Sequence, residues 1–142
     1  MRLTTRTRYA VRSMVDLLNQ PTGKPSSLSD IARRQGVKLR YLEQIFQRLR
    51  QAKLIESKKG PGGGYLINRD PKAIKLSEIM KAVGESSAPV FCVARNPQKK
   101  CPRTTYCTTR PYWGELKKTI DDFFDSVTLH DVSIKHDYID PG

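Results

Sequence analysis

The sequence has few of the features that mark membrane, secreted or disulfide-rich proteins. No run of about 18 apolar residues occurs, so neither a membrane-spanning helix nor a membrane partner is expected. The first residues, Met1 to Arg6, lack the apolar stretch of a secretory signal, which favours a cytoplasmic location. There, the 3 cysteines are expected to stay reduced. No catalytic constellation is present either, so we expect neither an enzyme nor a small-molecule substrate.

Acidic residues are scarce in the first half of the chain. In total, 26 Lys and Arg face 14 Asp and Glu, which gives a formal net charge of +12. Residues 1–75 hold 17 basic and 5 acidic residues, and residues 76–142 hold 9 of each, so the first part carries the whole excess. Such a concentration of positive charge indicates a polyanion binder, most often of nucleic acid. A basic surface that only aids solubility is the simpler alternative.

Two short amphipathic patterns predict a helix-turn-helix at about residues 28–51. Ser27 suits the N-cap of the first helix, and Gly36 suits the left-handed position that ends it. The second helix follows after two residues and places apolar side chains at helical spacing, at Leu39, Leu42, Ile45, Phe46 and Leu49. Its other face carries side chains that can reach bases, although an ordinary helical hairpin would show the same pattern.

A glycine-rich hairpin is predicted directly after these helices. Residues 54–57 and 65–67 have strand character, and the turn between them contains four glycines. This order predicts a mainly α fold with a small β-hairpin wing (residues 55–67), in a winged helix-turn-helix domain over residues 1–84. Glycine allows close approach to a sugar-phosphate backbone, and Lys58 and Lys59 suit phosphate or minor-groove contacts. A nucleotide-binding loop is less favoured, because the Gly-Lys-Ser/Thr ending is missing.

A longer helix with a separate apolar seam is predicted at residues 112–127. Pro111, just before it, suits the first turn of a helix. Its seam repeats at intervals of three and four residues: Trp113, Leu116, Ile120, Phe123 and Val127. The first domain already has enough helices to close its core, so we expect this helix to pair two chains in a homodimer. Packing on its own domain is the alternative. The tail, residues 128–142, carries no clear pattern.

All three cysteines lie between these two parts, in a loop expected over residues 85–111, the cysteine loop. Cys92, Cys101 and Cys107 are spaced C-x8-C-x5-C, and residues 92–110 contain five basic residues and no acid. Positive charge favours thiolates. The wide spacing argues against a structural zinc and favours an iron–sulfur cluster, whose fourth ligand the sequence leaves open. Redox-reactive thiols without a cluster are the alternative.

Six segments of the chain carry a shared pattern: Arg2-Leu3-Thr4, Arg8-Tyr9-Ala10-Val11, Asp30-Ile31, Tyr41-Leu42-Glu43-Gln44, Leu49-Arg50 and Gly60-Pro61-Gly62-Gly63-Gly64-Tyr65-Leu66. In order, spacing and identity they closely resemble the Rrf2 family of bacterial winged-helix regulators, from residue 1 to about residue 132. The resemblance implies a transcription regulator, often a repressor, that controls iron–sulfur or iron-related genes as a homodimer on a near-palindromic operator in double-stranded DNA. It also implies a cluster on Cys92, Cys101 and Cys107, 2Fe-2S by resemblance with 4Fe-4S as an alternative.

The resemblance also assigns roles to residues. Glu43 and Gln44 would face bases in the major groove, Lys59 would enter the minor groove, and the other implied DNA contacts are Arg40, Tyr41, Lys58, Gly60 and Pro61. Two positions depart from relatives: Arg110 stands where cluster-assembly regulators carry a histidine ligand, and Arg8 where nitric-oxide sensors carry an aspartate. A cluster-free regulator that senses through thiols, and an electron carrier or cluster scaffold that docks an acidic protein, are the alternative functions.

Overall fold

The computed structural model describes residues 2–97 and 99–134, and their order of elements is that of a winged helix followed by a long helix. The strands β1 (Glu56–Lys58) and β2 (Gly64–Leu66) pair antiparallel, with Ser57 opposite Tyr65. Two single turns of 3-10 helix lie at Pro71–Ala73 and Phe91–Val93. The regular elements are α1 (Thr5–Leu18), α2 (Leu28–Gln35), α3 (Leu39–Gln51), β1 (Glu56–Lys58), β2 (Gly64–Leu66), α4 (Leu76–Ala82), α5 (Arg110–Ser126) and α6 (Leu129–Ile134).

The turn between α2 and α3 forms for the reasons visible in the sequence. The Ser27 hydroxyl accepts a hydrogen bond from the backbone N–H of Asp30 at 3.1 Å and so caps α2. Gly36 ends α2 with φ of 65°, a conformation that costs glycine little. Only residues 37 and 38 then precede α3. The predicted helix-turn-helix and the mainly α fold class are therefore confirmed.

One hydrophobic core joins α1, α2, α3 and α4. Helix α3 supplies four fully buried side chains, and α1, α2 and α4 each turn an apolar face toward them. Leu39 does not follow its pattern: its side chain is 40% exposed, because it lies in the first turn of α3, beyond the edge of the core. The fully buried apolar residues of the four helices are Ala10, Met14, Ile31, Leu42, Ile45, Phe46, Leu49 and Ile79.

The first wing strand begins later than its residue types suggest. Leu54 and Ile55 are buried in the core rather than paired in the hairpin, and β1 starts at Glu56. The backbone leaves α3 at Lys53, which has φ of 60°, and the N–H of Leu54 then donates to the carbonyl of Leu49 at 3.0 Å. The strand propensity of Leu54 and Ile55 is overridden here, because both apolar side chains are buried in the core instead.

A part-buried ion pair, in which only the Asp16 carboxylate is buried, joins α1 to α2. The Arg34 guanidinium donates to both carboxylate oxygens of Asp16, at 2.6 to 3.1 Å, and Gln35 donates to the same carboxylate at 2.8 Å. Burial alone would raise the pKa of Asp16, but these hydrogen bonds and the Arg34 charge outweigh it and hold the pKa below its ordinary value. The carboxylate therefore stays charged at neutral pH.

The last part of the chain is more ordered than its sequence suggests. Helix α5 begins at Arg110, two residues before the predicted start, so Pro111 is its second residue. The segment expected to be an uninformative tail contains α6, in which Leu129 is fully buried and donates its N–H to the carbonyl of Ile74 at 2.8 Å. Thr128 and Asp131 cap this helix reciprocally. Residues 135–142 of the predicted tail lie outside the described residues.

The docking of α6 can be tested by removing its buried side chain. We expect Leu129→Ala to lower the free energy of unfolding by about 2–5 kcal/mol, since it leaves a cavity against α1 and residues 71–74. The matched control is Ile134→Ala, whose side chain is 59% exposed and whose loss should change stability by less than about 0.5 kcal/mol. Urea unfolding measures both; equal effects would mean that α6 does not dock.

Candidate nucleic-acid interface and cysteine loop

The polar face of α3 lies open to solvent. Arg40, Glu43 and Gln44 are exposed, while the apolar residues between them point into the core. Tyr41 is different, because it is half-buried and its ring meets that of Tyr9 edge-on, with 5.9 Å between centroids. The exposed side chains can therefore reach a ligand directly, and Tyr41 is partly committed to holding α3 against α1.

The wing lies directly beside α3. The ring of Tyr65 in β2 packs edge-on against the buried ring of Phe46 in α3, with 5.1 Å between centroids. Tyr65 also exchanges two backbone hydrogen bonds with Ser26, of 2.9 and 2.8 Å, just before α2. The wing is thus fixed to both helices of the helix-turn-helix, so one rigid unit presents α3 and the hairpin together.

Two glycines allow the wing to close as tightly as it does. A Cβ on Gly63 would lie 2.2 Å from the carbonyl oxygen of Lys58, and one on Gly64 would lie 2.2 Å from that of Ser26. The four predicted wing contacts, Lys58, Lys59, Gly60 and Pro61, are all exposed beside this turn. The hairpin tip therefore carries two ammonium groups and a backbone that a phosphate can approach closely.

The three cysteines are half-buried and unpaired in the cysteine loop. Cys92 lies in the 3-10 turn Phe91–Val93, and Cys101 and Cys107 flank the turn at residues 102–106, before α5. Among residues 2–97 and 99–134, no three His, Cys, Asp or Glu side chains lie together as a metal site. The donor set is suited to iron, but the described conformation does not gather the thiols, so holding a cluster requires the loop to close.

Cys107 has the surroundings of a thiolate. Its sulfur lies 3.3 Å from the hydroxyl oxygen of Thr109, at the start of α5. This hydroxyl, the backbone amides of Thr109 and Arg110, and the charge of Arg103 lower the pKa of the Cys107 thiol below its usual range. This is a property that both metal ligation and thiol reactivity require.

Arg110 is turned into the cysteine loop. Its Nη2 lies 3.5 Å from the backbone carbonyl oxygen of Cys92, which links the first cysteine to the start of α5. Its Nε is buried and has no hydrogen-bond partner within the described part of the chain. An unpaired buried donor costs about 1–3 kcal/mol, and more when it is charged. The guanidinium therefore offers a free hydrogen bond inside the loop.

The beginning of the cysteine loop is anchored to α1 and α5. One oxygen of Glu85, Oε2, accepts hydrogen bonds from the Thr4 amide (2.9 Å), the Thr4 hydroxyl (2.6 Å) and the Thr7 hydroxyl (2.6 Å). Burial would raise the pKa of Glu85, but these bonds outweigh it and lower the pKa. Ser87 hydrogen bonds to Asp121 of α5. Sequence reasoning missed Glu85, because its partners lie about 80 residues away and no local pattern marks them.

Helix α5 exposes an apolar seam. None of its described side chains is buried; Phe123 is 59% exposed, Leu116 42% and Trp113 39%. Ile120 is half-buried. Val127 is also half-buried, but α5 ends at Ser126, one residue before the predicted end, so Val127 is in extended conformation just after the helical row. Large apolar groups in one row along a helix usually mark a contact with another molecule. No described helix is long and apolar enough to cross a membrane.

An exposed polar helix face beside a basic, glycine-rich wing defines a winged-helix DNA-binding protein, and comparison with known proteins specifies its family. The pattern of the Rrf2 family, described as iron-dependent transcriptional regulators, matches residues 3–134. The chain therefore belongs to the Rrf2 family, which confirms the resemblance seen in the sequence. Like its relatives, it is a transcriptional regulator; it is not an enzyme.

Named relatives include regulators and solved structures. The chain is 39% identical over 140 residues to the HTH-type transcriptional regulator IscR of Vibrio cholerae, covering 99% of this chain and 79% of the relative. It is 40% identical over 140 residues to the HTH-type transcriptional regulator ORF2 of Azotobacter vinelandii, covering 99% of this chain and 84% of the relative. The structure of T. potens IscR matches with a TM-score of 0.72 and 32% identity over 93% of this chain and 85% of that one. The structure of CymR, the global cysteine regulator of B. subtilis, matches with a TM-score of 0.77 and 28% identity, covering 96% of this chain and 99% of that one.

The wing's dependence on close backbone contact gives a direct test. We expect Gly64→Ala to displace the wing from Ser26, because the added Cβ cannot fit 2.2 Å from the Ser26 carbonyl oxygen. The measurement is amide hydrogen exchange at Tyr65, which should lose protection. Gly23→Ala is the matched control, since Gly23 also has a positive φ of 77° but open space around its Cβ. Unchanged protection in Gly64→Ala would contradict the described wing.

Proposed function

We propose that two copies of this chain bind a near-palindromic DNA operator and that an iron–sulfur cluster in the cysteine loop controls the binding. The observation that carries the proposal is the pairing of the exposed α3 face with the basic wing, in a chain whose cysteine loop is anchored to α1 and α5. The names of the IscR relatives and the family's description as iron-dependent regulators support the same assignment. Iron–sulfur or iron-related genes are the proposed targets, and repression the proposed mode.

In the DNA complex, α3 occupies the major groove and the wing follows the adjacent backbone. Glu43 and Gln44 reach base edges, where an amide can pair with adenine and a carboxylate with cytosine. Arg40 and Tyr41 lie at the entry of the helix. At the wing, Lys58, Lys59, Gly60 and Pro61 contact phosphates or the minor groove.

Dimerisation is proposed to occur through α5. Two rows of the seam side chains, Trp113, Leu116, Ile120, Phe123 and Val127, would bury each other about a two-fold axis. A symmetric dimer presents two α3 helices, which matches an operator with half-sites about one to one and a half helical turns apart. This symmetry is the physical reason to propose a near-palindromic sequence.

Cys92, Cys101 and Cys107 would hold the cluster, which supplies a redox-active and oxygen-sensitive iron centre when bound. The surroundings fit it chemically: Cys107 favours the thiolate, and residues 92–110 carry five basic side chains and no acid. A 2Fe-2S centre follows from the family, with 4Fe-4S as the alternative. The loop's anchors at Glu85 and Ser87 provide the route by which closure of the loop shifts α1 and α5.

A second candidate function is direct thiol sensing without a cluster. The lowered pKa of Cys107 favours it, because a thiolate is the form that reacts with oxidants. The structural likeness to CymR, described as a cysteine regulator, is compatible with it. Iron and sulfide analysis of anaerobically purified protein, combined with thiol titration, separates the two candidates.

The DNA docking is tested by variants of the wing and of α3. Lys58→Gln with Lys59→Gln should weaken binding on every sequence and reduce the salt slope by about one for each phosphate that a lysine no longer neutralises. Gln44→Ala should change sequence preference by about 1–3 kcal/mol at one base pair. Gel shifts on specific and scrambled operators measure both.

The matched control removes another adjacent lysine pair, Lys99→Gln with Lys100→Gln, outside the winged helix. It should leave the salt slope unchanged. If the control and the wing variant weaken binding equally, the docking is wrong.

The cluster assignment is tested by single replacement of its ligands. We expect Cys92→Ala to lose the visible absorption and the bound iron of anaerobically purified protein, because only two of the three proposed thiolate ligands then remain. The control is Thr105→Ala, an exposed residue of the same loop, which should keep both signals. A wild-type spectrum in Cys92→Ala would refute the assignment; iron-free wild-type protein that loses operator binding on thiol oxidation would favour the second candidate.

A further inference from the structure

The start of α5 carries a positive charge where a helix disfavours one. Arg110 is the first residue of the helix, at the positive end of its dipole, and no acidic residue lies in the first turn. The cap residue Thr109 forms no side-chain capping bond; its hydroxyl faces Cys107 instead. Among the described residues, no carboxylate forms an ion pair with Arg110. This concentration of positive potential calls for an anion.

Arg110 contacts two of the cysteine residues, one through its side chain and one through its backbone. Its Nη2 is near the carbonyl oxygen of Cys92, and its own backbone amide faces the sulfur of Cys107. Its Nε is buried and without a partner in the part of the chain that the structure describes. A guanidinium has five fixed donors, no acceptor and a permanent charge, so it cannot ligate iron but can donate to sulfur.

We propose that Arg110 is a positioning residue of the cluster: its guanidinium donates hydrogen bonds to the sulfur atoms of the iron–sulfur group on Cys92, Cys101 and Cys107 and balances their negative charge. The inference rests on the proposed function. Hydrogen bonds to the sulfurs and the local net charge set the reduction potential of such a group. Since reduction adds a negative charge, the guanidinium favours the reduced state and raises the potential.

The test compares two Arg→Gln variants of the full-length chain, purified anaerobically with the cluster bound. Arg110→Gln removes the charge but keeps a polar side chain, and Arg95→Gln removes the same charge from an exposed position in the same loop. The measurement is the midpoint potential from a redox titration followed by electron paramagnetic resonance. We expect the equilibrium constant for reduction to fall about tenfold in Arg110→Gln, or about 59 mV for one electron, and less than about twofold in Arg95→Gln, where solvent screens the charge.

A conservative variant covers the case in which Arg110→Gln does not retain the cluster. Arg110→Lys keeps the charge but loses the planar set of donors, and we expect it to retain iron and to show a smaller shift than Arg110→Gln. Cluster loss in Arg110→Gln with retention in Arg110→Lys supports the proposal, because charge balance then holds the group. Loss in both variants overturns the charge-balancing role, because the variant that keeps the positive charge would then fail in the same way as the variant that removes it.

The remaining outcomes separate this inference from the proposed function. Wild-type protein with a cluster, but equal potentials in Arg110→Gln and wild type, overturns the role of Arg110 alone. Equal shifts in Arg110→Gln and Arg95→Gln overturn it as well, since any basic residue of the loop would then serve. Wild-type protein without iron that still binds its operator overturns the cluster and this inference together, and leaves the DNA-binding function intact.

Discussion

The burial of one side of α3 is the constraint on which the rest of the structure depends. Leu42, Ile45, Phe46 and Leu49 are fully buried, and together they fix how the helix is rotated about its axis. With this side held inward, the opposite side must face solvent with its arginine, glutamate and glutamine side chains. The same buried surface supports the wing, since Phe46 contacts Tyr65. Core packing and the presentation of the interface are therefore one arrangement.

The local signals of the winged helix were strong enough to be predicted. Ser27 and Gly36 mark the ends of α2 by capping chemistry that acts within a few residues, and periodicity marks the buried face of α3. Leu54 and Ile55 were harder, because strand propensity and core burial compete there and only the packed structure decides. Helix α6 was missed for a similar reason: it is short, and its stability comes from the contact of Leu129 with residues distant in sequence.

The residues of the candidate site also differ in how far local sequence predicts them. The exposed α3 residues and the wing lysines were predictable because exposure follows from periodicity and from the turn. The interior of the cysteine loop was not, since no helical or strand period constrains residues 94–109. The orientation of Arg110 and the pairing of Cys107 with Thr109 depend on where α5 begins. Glu85 depends on a contact across almost the whole domain.

The hydrogen bonds between Glu85 and the start of α1 all involve one atom of the glutamate. Three donors from Thr4 and Thr7 converge on Oε2, so a small displacement of this oxygen strains all three bonds at once. Loss of this one contact would release the start of the cysteine loop from Thr4 and Thr7 together, so the loop and the first turn of α1 are linked through one carboxylate oxygen. If the cysteine loop senses a signal as proposed, this oxygen is the point at which a change in the loop reaches the first helix of the DNA-binding domain.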